Sequence, residues 1–102
     1  MSEGWETHVT YLTITSYEGL YRKAVEIVNN FNHTFHHDMI DDLESFVKYL
    51  QDDPKIFKDH ITTHRINFYE LALDFIKQPA EVHKDDLEKL QVREKWLKEM
   101  SE

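Results

Sequence analysis

Apolar residues recur at steps of three and four along most of this chain, and that spacing predicts its elements. Tyr17, Leu20, Tyr21, Ala24, Ile27, Val28 and Phe31 share one side of a helical wheel, which predicts a helix over 16–31. Thr15 and Glu18 stand at capping-box spacing at its start. Asn29, Asn30 and Asn32 cluster at its end, where asparagine tolerates the left-handed conformation that stops helices. Met39, Ile40, Leu43, Phe46, Val47 and Leu50 form a second stripe. Asp38, Asp41, Asp42 and Glu44 load its first turns with negative charge, which suits the positive end of a helix dipole. Asp52-Asp53-Pro54 ends it. Asp53 as N-cap and Pro54 at the first position then open a short third helix, with Ile56, Phe57, His60, Ile61 and His64 on one face.

Asn67 to Glu70 is a capping box in its Asn form, and Leu71, Ala72, Phe75 and Ile76 follow as a fourth helix. Gln78 precedes Pro79 and is pushed toward extended geometry, so this helix closes at 77–78. Pro79 starts a last helix over 80–100, with a thin stripe of Val82, Leu87, Leu90, Leu97 and Met100. Leu90 and Leu97 are seven apart, but Glu94 occupies the position between them where a coiled-coil seam wants an apolar residue. This charged segment reads as a solvated helix laid along the bundle, or as a partner-binding or dimerising arm. Residues 5–15 are rich in β-branched side chains, which favours strand. Yet Trp5, His8, Val9 and Leu12 fall at helical spacing, and a lone strand would leave its amides unpaired. Helix is the better reading there. The chain is therefore expected to be all-α, a compact bundle of five or six short helices. Residues 1–78 form its core domain, and a charged C-terminal helix, 79–102, packs on that core or extends from it.

Composition narrows this further. At 102 residues there is room for one modest core. Two Gly and two Pro cannot supply the frequent turns of a sandwich or barrel. The absence of Cys excludes disulfides, thiolate zinc sites and a cysteine nucleophile. Acids outnumber bases by 20 to 12, a net charge of −8, which argues against binding a phosphate backbone directly. No apolar run approaches the roughly 18 residues of a membrane span, and the acidic start Met1-Ser2-Glu3-Gly4 is unlike a signal peptide, so a cytoplasmic protein is expected.

Histidine is the overrepresented reactive type, at seven residues. His33, His36 and His37 crowd the segment before the second helix, while His60 and His64 are four apart, half of a metal site on a helix. Together these five are a candidate metal set. Against it, Ile61-Thr62-Thr63 lacks the Glu that a zinc-protease helix places after its first His, so no metal is favoured and no cofactor is expected. Ser2, Ser16, Ser45 and Ser101 lie in no nucleophile elbow, and Gly4 and Gly19 make no phosphate loop. The acidic pairs sit at predicted helix starts, where capping already accounts for them. No catalytic residue is assigned, and the chain is not expected to be an enzyme. Trp96 lies off the Leu90–Leu97 line and is a candidate binding anchor.

The stretch Gly4-Trp5-Glu6-Thr7-His8-Val9-Thr10-Tyr11, then Glu18-Gly19-Leu20-Tyr21, and later Ile66-Asn67-Phe68-Tyr69-Glu70-Leu71-Ala72, resembles a small uncharacterised domain of phages, plasmids and prokaryotic genomes. That domain opens Gly-Trp-x-Asn-x-x-Thr-Trp and carries a late Val-Asn-Trp-x-Glu-Ile-Ala-like box. The resemblance covers residues 4 to 77. Thr7 here replaces Asn, Tyr11 and Phe68 replace Trp, and the spacer before Glu18 is shorter. The resemblance implies no activity and no catalytic residues. It implies a context, that of small proteins made by mobile elements to disable a host protein.

Residues 36–60 hold seven acids (Asp38, Asp41, Asp42, Glu44, Asp52, Asp53, Asp59) against Lys48, Lys55 and Lys58. Half of the excess negative charge thus lies in a quarter of the length. The expected function is binding and inhibition of a host nucleic-acid-binding defence protein, of anti-restriction or anti-CRISPR type. The acidic face would enter a basic channel as a DNA mimic. The expected partner is a protein, with neither nucleic acid nor membrane contacted directly, and the chain is a monomer or homodimer.

Overall fold

In the computed structural model, which describes residues 3–57 and 61–102, five α-helices follow one another: α1 (Glu3–Thr15), α2 (Glu18–Val28), α3 (His36–Gln51), α4 (Phe68–Phe75) and α5 (Lys84–Ser101). Single 3-10 turns lie at Thr63–Arg65 and Pro79–Glu81. No strand occurs among the described residues. The fold is all-α.

The core is assembled from the stripes. Ala24, Val25 and Val28 of α2 meet Met39, Ile40, Leu43, Val47 and Leu50 of α3. Phe68, Leu71, Ala72 and Phe75 of α4 are buried at the centre, and this short helix packs against each of the other four. Tyr11 and Tyr21 lean on the Phe75 ring, with centroids 5.2 and 5.9 Å away. Phe57, Ile61 and Ile66 plug in from the connection between α3 and α4, and Leu97 comes from α5. The radius of gyration, 13.4 Å, is close to the about 13 Å expected of a folded chain this long.

Several sequence readings need correction in detail. The helix over 16–31 is shorter, because α1 runs through Thr15. The Thr15 hydroxyl donates to the Leu12 carbonyl at 3.1 Å, so it serves the end of α1 and cannot cap α2. Tyr17 takes the N-cap position with no side-chain cap, and Glu18 pairs with Arg22 at 2.7 Å instead. Asn29 ends α2 without entering the left-handed region, which no described residue occupies. Its amide Nδ2 donates to the Val25 carbonyl at 2.9 Å and reaches the Phe75 carbonyl at 3.4 Å. The Val25 carbonyl also accepts the Asn29 backbone amide at 2.9 Å, so the side chain adds a second bond at the last rung of the helix.

The third helix expected from Pro54 is a single turn among the described residues. Asp53 caps that turn as expected, accepting from the Lys55 amide at 2.9 Å through Oδ1 and from the Phe57 amide at 3.1 Å through its carbonyl. Where the described chain resumes, Ile61 and Thr62 are non-helical and a single 3-10 turn follows at Thr63–Arg65. In α4 the cap is one-sided. Asn67 Oδ1 accepts from the Tyr69 and Glu70 amides, but Glu70 does not answer, because the Asn67 amide donates to the Thr7 hydroxyl. Helix α4 ends at Phe75, with Ile76 already extended, and α5 begins only at Lys84, after the second 3-10 turn.

Residues 5–15 are helical, but the buried face is not the apolar one. Trp5 and Leu12 are 55 % and 48 % exposed and His8 is open, whereas Glu6, Thr7, Thr10 and Ile14 are buried. The inner face must satisfy polar groups on its neighbours, as Thr7 does for Asn67, and that requirement sets the rotation of α1. Thr10 and Thr13 direct their hydroxyls to carbonyls one turn back, both at 2.8 Å. That is how a Thr-rich helix satisfies its side chains internally.

Candidate functional site

Helix α3 shows two unlike faces. Its apolar side is buried, and the opposite side carries the line Phe35, Asp38, Asp42, Ser45, Tyr49, Asp52, at alternating steps of three and four. Phe35 and Tyr49 are 65 % and 77 % exposed, an aromatic toward each end of an acidic strip. Sequence reasoning missed both as surface features, although Tyr49 falls off the Met39–Leu50 stripe and was readable from the wheel.

The seven acids named above divide by duty. Asp41, Asp42 and Asp52 are exposed. Asp42 Oδ2 lies 3.0 Å from Nε2 of His33, in an approach too misaligned to count as a hydrogen bond. Asp38 is half-buried and its carboxylate receives the Phe35 amide at 3.4 Å, which holds the start of α3. Glu44 pairs with Lys48 at 3.3 Å, and Asp53 is occupied by its turn. Asp59 lies outside the described residues.

Among the described residues the histidines do not converge on an ion site. His36 and His37 set their rings edge-on around Trp96, with centroids 5.1 and 5.2 Å away, and Tyr69 does the same at 5.5 Å. Trp96 is therefore a half-buried hub joining α3, α4 and α5. Burial holds His36 below the ordinary imidazole range, with the Arg93 and His37 charges acting in the same direction. His64 is exposed on the first 3-10 turn, and His60 lies outside the described residues. Among the described residues no group of three or more His, Asp or Glu is gathered to hold a metal.

Arg93 is the functional-looking residue that sequence reasoning passed over. It is 2 % exposed. Its Nη1 donates to the Val28 carbonyl at 2.7 Å and the Asn30 carbonyl at 3.1 Å, serving the end of α2 from α5. Its guanidinium lies 4.7 Å from the centre of the Phe31 ring. Burial lowers its proton affinity, yet a guanidinium stays cationic at any physiological pH. Arg93 stands three residues after Leu90 and four before Leu97, both buried, so it fills the stripe position between them.

A larger open groove runs between α2 and the α4–α5 connection, bordered by Tyr11, Tyr21, Asn29, Asp74 and Lys77. Partial burial and then the Glu70 carboxylate raise the Asp74 carboxyl above its ordinary range, while His8 acts against them. No helix among the described residues is long and apolar enough to cross a membrane. Comparison with protein-family models, with curated proteins and with solved structures found no match.

Proposed function

We propose that this chain works by binding another protein through the outer face of α3. One observation carries the reading: an uncovered helix face holding Asp41, Asp42 and Asp52 together with two strongly exposed aromatics. Large aromatics anchor interfaces, and a strip of like charge steers a partner of opposite sign and fixes its register. The complementary surface is basic. A channel built for phosphates, in a nucleic-acid-binding protein, is the natural host for such a strip, and the chain would inhibit it by occupying the site. The resemblance to a domain of mobile elements supports a host defence protein, a restriction or CRISPR-type nuclease, as that target.

The test is affinity capture from host cells, followed by binding of the recovered partner at rising salt. Binding is expected to weaken steeply with ionic strength through screening. The reversal D41K/D42K/D52K should abolish it, Y49A should weaken it, and duplex DNA should compete. A partner that the reversed variant still holds, or that is lost instead on altering Trp5 and Leu12 of α1, overturns the reading.

A further inference from the structure

Arg93 presents an electrostatic imbalance that the fold does not resolve. A buried cation is costly unless it is paired, and no carboxylate among the described residues forms an ion pair with this one. Its matches are two backbone carbonyls and the face of Phe31, and its Nε has no acceptor at all. Beside it opens a cleft of about 470 Å³ between the α2–α3 loop and α5. The walls carry His33, Thr34, His36, Lys89 and Arg93, with Glu88 the one acidic side chain among them and the Asp42 carboxylate 3.0 Å from His33 Nε2. In a chain of net charge −8, this gathering of donors runs against the overall balance.

We infer that this cleft is an anion site that takes a phosphate group. The donors come from three separate stretches of backbone: the loop, the first residue of α3, and one face of α5. Such a spread suits a tetrahedral oxyanion better than a planar carboxylate. Phosphate also brings close to two negative charges at neutral pH, which answers both Lys89 and the unpaired guanidinium. The first turn of α3 adds the positive end of a helix dipole at the same place. His36, held neutral by its surroundings, offers an N–H without adding to the local charge. The volume exceeds that of a bare ion, and Phe31 and Val92 supply apolar wall, so the cleft accommodates the organic part of a small phosphomonoester.

The experiment is titration of the full chain with inorganic phosphate and, separately, with phenyl phosphate, at ionic strength held constant with chloride. The imidazole resonances of His33 and His36 are the readout. Saturable shifts are expected at both, with His64 unmoved. K89E, at an exposed position and expected to keep the parent's circular dichroism, should bind about tenfold more weakly or worse. Tighter binding of phenyl phosphate identifies an organic monoester as the ligand, and tighter binding of the inorganic ion identifies free phosphate. Shifts that grow linearly and match those from chloride alone, or equal affinity in K89E, overturn the site. Arg93→Lys is the second variant. If it stays folded and binds phosphate as tightly as the parent, the guanidinium has no part in the cleft and the inference fails.

Discussion

The Asn67 amide donates to the Thr7 hydroxyl at 2.9 Å across sixty residues of chain. The same asparagine caps α4 through Oδ1 and reaches the Ser101 carbonyl through Nδ2 at 3.2 Å, so one residue, by its backbone N–H and its side chain, ties α1, α4 and α5. T7V would leave that amide without an acceptor and should cost about 1–3 kcal/mol. T10V removes a hydroxyl that bonds only within its own helix and should cost less. N67A, losing the cap, should cost about 1 kcal/mol or more. Urea unfolding midpoints compare the three directly.

Arg93→Met keeps most of the stem packing and deletes the donors. The Val28 and Asn30 carbonyls then lose their partner, at about 1–3 kcal/mol for each one left buried. Arg93→Lys should recover only part, since an ammonium cannot both span the carbonyls and lie flat on Phe31. A midpoint in urea equal to that of the parent would show that the contact is not formed in solution.

Acid should weaken the packing around Trp96. Folded His36 titrates below its ordinary value of 6.5, so as pH falls the unfolded chain takes up the proton first. Stability from this site is therefore complete above that value and drains as pH drops through the lower, folded one. H36Q should flatten that part of the profile. Thermal melts from neutral to mildly acidic pH, followed by Trp96 fluorescence, give the comparison.

The rotation of α1 has a simple check. Leu12→Glu should change stability by no more than about 0.5 kcal/mol, as surface substitutions do. Ile14→Glu, two positions on and fully buried, should prevent folding. Were Trp5, His8, Val9 and Leu12 the inner face, Leu12→Glu would be the damaging change.

What the chain discloses in one dimension depends on how local the cause is. Helix α3 and the Asn67 cap were legible because both rest on neighbours in sequence: a stripe of six apolar residues, and a side chain meeting amides two and three positions ahead. The orientation of α1 was not, because Thr7 is drawn inward by an amide sixty residues away, and apolar spacing alone cannot tell an inner face from an outer one. Asp53 was legible as a cap for the same local reason, whereas Asp38, grouped with the acidic face, turns out to hold the Phe35 amide. Arg93 sat in plain view between Leu90 and Leu97, but a charge on a stripe is legible as buried only once its carbonyls are located. Trp96, a candidate binding anchor from its place off the Leu90–Leu97 line, is half-buried in the structure. Its neighbours His36 and His37, some sixty residues upstream, are what define it.

The bond from Arg93 to Val28 also sets an order of events during synthesis. Helix α2 leaves the ribosome long before α5, and until then its last carbonyls have only water to meet. The N-terminal helices can collapse early, but the seam beside Phe31 closes last, when the guanidinium arrives. A nascent chain stalled ahead of Arg93 would hold this corner open to chaperones or proteases, and release of the finished chain would seal it.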